Sequence, residues 1–326
     1  MVFIGFHASH EQLPPSRLLR AVQGAERAGF DGAMCSDHFA PWGLRQGESG
    51  HAFSWLGAAL ATTSFSLGVV TAPGQRYHPA IAAQILATLA EMFPERFWAA
   101  LGSGEALNEH VTGDPWPPKE QREQRLVEVV DIVRRLHAGD RVDHDGLVRV
   151  HDARIWSRPA HPPALRAAAV SERTAAWAAG WADGLITVGH DPATIERTLA
   201  AYRDAGGRGP CAVQVHVSLA DTDAEAVRIA RDQWRHCTVP PELMWDLMQP
   251  EDFDRLSQPD DRAGLERGVL ISADDGETVE RLGALVAAGA DELFLHEVGP
   301  DQDAFLRRAA NGLLERVRQT DSATSR

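Results

Sequence analysis

The chain has 326 residues, 44% hydrophobic and 24% charged, ordinary globular values that exclude a long disordered or collagen-like chain. A net charge of −14, from 46 acidic and 32 basic residues, argues against nucleic acid or an anionic membrane as partner. Three cysteines without C-x-x-C spacing, Cys35, Cys211 and Cys237, fit free thiols in a reducing cytoplasm.

The first elements form a βαβ unit. Residues 2–6 are a short apolar run that reads as a buried strand. Pro14-Pro15-Ser16 then opens a helix, in which Leu18, Leu19, Val22, Ala25 and Ala28 keep helical spacing up to a glycine cap at Gly29. The next apolar run, residues 30–35, makes the two strands parallel with a right-handed crossover. The junction Ala28-Gly29-Phe30-Asp31-Gly32 returns as Ala179-Gly180-Trp181-Ala182-Asp183-Gly184 and as Ala288-Gly289-Ala290-Asp291-Glu292. Three such echoes indicate a βα unit repeated along the chain.

Further strands are expected at 66–71, 97–101, 165–170, 185–188, 212–218 and 293–296, with helices at 79–92, 119–137, 172–179, 193–202, 224–234 and 303–317. Eight alternating strands point to an α/β fold, a (β/α)8 TIM barrel, over residues 1–318. The longest uncharged stretch, 51–75, contains Gly57, Thr62-Thr63-Ser64, Gly68 and Pro73, so it reads as helix, turn and strand rather than a bilayer span. Two segments fall outside the repeat. Asp145-Gly146 marks a hairpin within an insertion at about 140–160, and 237–268 is a proline-punctuated insertion. Residues 319–326 read as a flexible tail.

Active sites of such barrels lie at the C-terminal ends of the strands. That rule selects Asp37-His38, where a neutral imidazole can take a proton at neutral pH, with Pro41-Trp42 as an aromatic wall. It also selects Gly102-Ser103-Gly104-Glu105, a turn that places Glu105 over the barrel mouth, with Asn108 one turn on. Glu105 could equally be a carboxylate at a helix N-terminus. Val170-Ser171-Glu172 opens a helix, either as a phosphate site or with Ser171 as an ordinary cap. His7, His190, His216 and His296 near strand ends leave a metal-dependent hydrolase or isomerase as an alternative.

Two segments carry a family resemblance. Ser36-Asp37-His38-Phe39-Ala40-Pro41-Trp42 and Gly102-Ser103-Gly104-Glu105-Ala106-Leu107-Asn108-Glu109 resemble the corresponding motifs of deazaflavin (F420)-dependent glucose-6-phosphate dehydrogenases, in the luciferase-like monooxygenase superfamily. Arg76-Tyr77-His78-Pro79 and Asp183-Gly184 follow in matching order. Residues 5–12 and 69–79 are similar to a subgroup described as probable non-F420 flavinoid oxidoreductases. The resemblance implies a luciferase-like barrel, partners limited to a small molecule and a second copy in a homodimer, and FMN or coenzyme F420 as cofactor. It implies His38 as the base for a substrate hydroxyl, Glu105 in proton transfer at the ring, and Trp42 shaping the substrate pocket. Asp37, Val70, Thr71 and Asn108 would contact the ring or its ribityl chain, and Ala169, Val170 and Ser171 the cofactor phosphate. A non-proline cis peptide is implied at or next to residues 70–71. Thr187 and Arg267 match the substrate pocket. His190 stands at one lysine position of that pocket, and Lys119, the chain's single lysine, does not supply the other. A sugar phosphate is therefore a poor substrate on this reading. A non-catalytic flavin-binding barrel is the remaining alternative.

Overall fold

The computed structural model describes residues 1–324. Its strands are β1 (Phe3–Ala8), β2 (Gly32–Ser36), β3 (Ser66–Thr71), β4 (Phe97–Leu101), the hairpin pair β5 (Val142–Asp145) and β6 (Arg149–Ala153), β7 (Leu165–Ala168), β8 (Leu185–Val188), β9 (Cys211–Leu219), β10 (Leu270–Ser272) and β11 (Glu292–Glu297). Eight of them are parallel neighbours in the order β1-β2-β3-β4-β7-β8-β9-β11, and β11 pairs back to β1. The barrel is closed, as eight alternating βα units require. The short β10 is additional, pairing with Val217, Ser218 and Leu219 at the far end of β9. Three residues carry too little pattern to announce a strand, and only the Ala288-Gly289 end of the helix Asp275–Ala287 is legible beforehand.

The echoed junction has a physical role. In each copy the aspartate accepts a backbone N–H at the start of a neighbouring strand: Asp31 from Ile4 (2.8 Å), Asp183 from Leu165 (2.9 Å) and Asp291 from Cys211 (2.8 Å). Each carboxylate also meets an arginine, Arg318, Arg134 and Arg203 respectively. The repeat therefore ties strand starts together at the N-terminal end of the barrel.

That end is plugged. Gly5 and Gly68 carry no side chain because a Cβ there would overlap the rings of Phe294 and Trp98. Those rings pack with Met34, Ala100, Ile186 and Ala212 inside the barrel. Arg166 lies 4.0 Å over Trp98 and pairs with Glu292. The main core lies between the strands and the surrounding helices, where Leu18, Val22, Leu56, Leu86, Val133 and Leu285 are buried.

The insertion after β9 is helical, with turns at Arg235–Thr238, Pro241–Met244, Pro250–Leu256 and Arg262–Gly268. It folds over the C-terminal mouth: Val239 and Phe253 pack with Leu107 and Trp42. At the chain's end, helix Leu314–Thr324 runs through residues 319–324, where a flexible tail is expected from sequence. Buried Leu313, Leu314 and Val317 hold its start, and Arg318 reaches Gly29 and Asp31. Residues 325–326 lie outside the described residues. All peptide bonds among the described residues are trans, so the cis peptide expected near residues 70–71 is absent. Among the described residues no helix is long and apolar enough to cross a membrane.

Candidate active site

His38 follows β2 and sits between two carboxylates. Its Nδ1 is 3.5 Å from Glu11 Oε1, and its Nε2 is 3.9 Å from Glu105 Oε2. Glu11, in the turn after β1, is buried and accepts the hydroxyls of Ser9 (2.5 Å) and Ser36 (2.9 Å). Burial alone would push its carboxyl up, but the His38 charge and the two hydroxyls bring it down to about 2. Glu105 moves the other way: burial raises its carboxyl, outweighing His38, with Glu11 and Glu109 adding to the rise. Although it stands at the N-terminus of a short helix, its side chain makes no capping bond. One imidazole thus lies between two carboxyls whose environments push them in opposite directions.

Trp42 forms the wall beside His38. Their ring centroids are 5.0 Å apart, and the other face of the wall continues as His236 stacked on Trp42 at 5.0 Å and 5°. Phe253 of the insertion meets Trp42 edge-on at 5.3 Å. Asn108 joins the two motif loops: its Oδ1 accepts from Phe39 N (2.8 Å), and its Nδ2 donates to Glu105 Oε2 (3.3 Å). The backbone of Ala106 also donates to Trp245 O (3.0 Å), so the insertion holds the Glu105 loop from above.

Asp37 is neither a cap nor the partner of His38. Its buried carboxylate accepts from Thr71 Oγ1 (2.7 Å), Arg76 Nη2 (3.1 Å) and Tyr77 OH (3.1 Å), and Arg76 continues to Glu109. The orienting carboxylate beside His38 is Glu11, which sequence reasoning left without a role. The signal was present in Ser9-His10-Glu11-Gln12 after a strand end, but the contact to His38 spans 27 residues.

Of the other expected cofactor contacts, Val70 faces the barrel interior and Thr71 is engaged with Asp37. Ala169 is buried, Val170 is 51% exposed at the mouth, and Ser171 caps the helix Glu172–Ala178 by accepting from Thr174 N. Exposed Val170, Val188 and Phe39 leave apolar surface around the polar His38 group, the lining that a planar, partly apolar ring system such as a flavin or deazaflavin would cover. Thr187 is buried at the end of β8. His190 bonds Arg281 (3.2 Å), and burial together with that guanidinium lowers its affinity for a proton. The Arg267 guanidinium is largely exposed and turned to Asp261 at 3.4 Å, while the backbone of Arg267 meets the His190 ring.

His7, His216 and His296 do come together, but against one another. The rings of His7 and His296 are 4.5 Å apart, and His216 Nδ1 is 3.0 Å from His296 Nδ1. Burial holds all three below the ordinary imidazole range, His7 at about 4. Among the described residues no three His, Cys, Asp or Glu side chains form a group able to hold a metal ion.

Residues 1–304 match the sequence profile of the family described as luciferase-like monooxygenase. The chain belongs to that family. Among its relatives, the F420-dependent glucose-6-phosphate dehydrogenase of Microbacterium testaceum is 35% identical, with 97% of each chain covered. The protein of that name from Mycobacterium tuberculosis H37Rv is 32% identical over 97% of this chain and 98% of its own. An F420-dependent secondary alcohol dehydrogenase, solved with an F420–acetone adduct, superposes with a TM-score of 0.88 at 28% identity, covering 97% of this chain and 99% of that one. The F420-dependent tetrahydromethanopterin reductase of Methanopyrus kandleri shares the luciferase-like fold, with a TM-score of 0.77 at 19% identity over 96% of this chain and 99% of its own.

Proposed function

We propose that this luciferase-like protein is an oxidoreductase passing hydride between a small alcohol or carbonyl substrate and a deazaflavin or flavin, with F420 preferred over FMN. The preference rests on the F420-dependent relatives, which span nearly the whole chain. The observation that carries the reading is His38 placed between Glu11, whose carboxyl is held low, and Glu105, whose carboxyl burial pushes up.

When bound, the cofactor supplies a two-electron hydride acceptor at its ring. His38 Nε2 takes the hydroxyl proton as the C–H bond of the carbinol breaks and the carbonyl forms. Glu11, 3.5 Å from His38 Nδ1, balances the imidazolium charge. Glu105 Oε2 delivers the proton needed at the reduced ring, and Trp42 and Phe253 keep water from the reacting atoms. Val70, Asn108 and the segment Ala169-Val170-Ser171 serve as cofactor contacts in this reading, and Asp37 and Thr71 act from behind by fixing the end of β3.

The protein acts as a cytoplasmic homodimer in the same reading. Three free thiols fit that compartment, and exposed Ile81, Met92 and Trp156 offer apolar surface to a second copy. Light scattering at twice 35.5 kDa tests the dimer.

The deciding experiment titrates the protein with F420 and with FMN, then follows ring reduction by secondary alcohols. His38→Ala should slow single-turnover reduction by roughly 10²–10⁴-fold while the cofactor still binds. An unchanged rate would remove His38 as the base.

A further inference from the structure

We propose that His216 is a substrate-binding residue of this site, a fixed hydrogen-bond acceptor for a hydroxyl group of an uncharged, hydroxylated substrate. The inference rests on the oxidoreductase reading and goes beyond it by naming what the pocket selects.

The argument starts at Gln12. Its Nε2 donates to the carbonyl of Val298, and its Oε1 lies 2.6 Å from His296 Nε2. A flipped amide would set oxygen against the Val298 carbonyl, so the amide has one orientation. Gln12 Oε1 can only accept, so His296 carries its proton on Nε2 and leaves Nδ1 bare. His296 Nδ1 in turn faces His216 Nδ1 at 3.0 Å. His216 therefore donates from Nδ1, and as a neutral ring it has only a lone pair on Nε2. Burial keeps both rings neutral, which makes the tautomer chain complete.

The ring that carries this lone pair is not sealed in the core. His216 lies on β9 on the same pleated face as Ala212, which lines the barrel interior, and four residues nearer the mouth. It is partly exposed there, and among the described residues no group bonds its Nε2. Trp234 fixes the ring, with centroids 4.5 Å apart, and Trp234 also touches His236, the next member of the Trp42 wall. Among the described residues no group bonds the ring nitrogens of His236 either.

The surrounding charges exclude an anion. Burial holds His236 neutral, at about 3, and Glu11 is an anion close by. Of the cations at this end of the barrel, Arg76 is taken by Asp37 and Glu109, and Arg281 by Glu277 and the His190 ring. A neutral molecule with a hydroxyl donor beyond the one facing His38 meets all of these requirements, whereas a phosphate or carboxylate meets the Glu11 anion and cations that are already paired.

Nitrogen-15 NMR of histidine-labelled protein tests the tautomer directly. His216 should show a bare Nε2 that shifts on adding 1,2-propanediol. With F420, the ratio of kcat/KM for 1,2-propanediol to that for 2-propanol should fall about 3–10-fold in His216→Phe. It should fall equally in His216→Asn, whose amide can still donate to His296 but has nothing at the Nε2 position. A protonated Nε2 in the native protein, or an unaltered ratio in both variants, overturns the proposal. A diol-dependent His216 shift without reduction of either F420 or FMN supports the His216 assignment and overturns the oxidoreductase reading.

Discussion

Glu11→Gln removes one charge from behind His38 and keeps the shape of the side chain. The carboxyl falls from 4.5 to about 2 against the effect of its own burial. At ~1.4 kcal/mol per unit, that is about 3 kcal/mol in favour of the anion. His38 supplies the largest favourable part, ahead of the Ser9 and Ser36 hydroxyls. The imidazolium formed during proton abstraction loses this counter-charge in the variant, and the rate should fall roughly tenfold. Stopped-flow reduction of F420 by 2-propanol at pH 7 reads this step. A rate within twofold of the native protein, or a loss confined to F420 affinity, would refute the assignment of Glu11. Stability offers a second reading that needs no substrate. The folded carboxyl is more acidic than the unfolded one, so its contribution is present above pH ~4.5 and is lost as pH falls toward ~2. The stability difference between native protein and variant should shrink across that window, and a flat difference would show that the charge is not on Glu11.

Asp37→Ala leaves Arg76 and Tyr77 without their shared acceptor, and should cost ~3–5 kcal/mol, measured as a lower urea midpoint. An undisturbed midpoint would mean that Glu109 alone satisfies Arg76. Glucose 6-phosphate should be turned over weakly by the native protein with either cofactor, because His190 is held neutral and Arg267 faces Asp261. His190→Lys places a second permanent cation beside Arg281 and should raise kcat/KM for that sugar about tenfold; efficient native turnover would show the pocket to be misplaced. Asp183→Ala removes the acceptor of Leu165 N and the partner of Arg134, and should cost ~1–3 kcal/mol with faster amide exchange at Leu165.

The barrel is legible in the sequence because its repeat is written locally: a glycine cap, an aspartate, then a buried run. What the aspartate does is not legible, since each one bonds a strand 18 to 80 residues away. The same contrast holds at the site. His38, Trp42, Glu105 and Asn108 stand out through two compact motifs, and the structure brings them together. Glu11 does not, because its importance lies in proximity to a residue on another strand. Asp37 looks like the companion of His38 only while adjacency in the chain stands in for adjacency in space; its carboxylate is in fact fixed by residues 71, 76 and 77. The tie between Arg318 and the first βα junction is equally illegible, since it spans 287 residues.

Arg166 stacked over Trp98 and paired with Glu292 closes the barrel at the end opposite His38. The interior is consequently a blind well, and everything that enters or leaves shares one opening with the insertion folded across it. Whatever settles deepest must arrive first and depart last, so turnover acquires an order of events from architecture alone. Substitutions in the roof around Trp245 and Phe253, far from any proton transfer, should then register in how fast spent molecules escape.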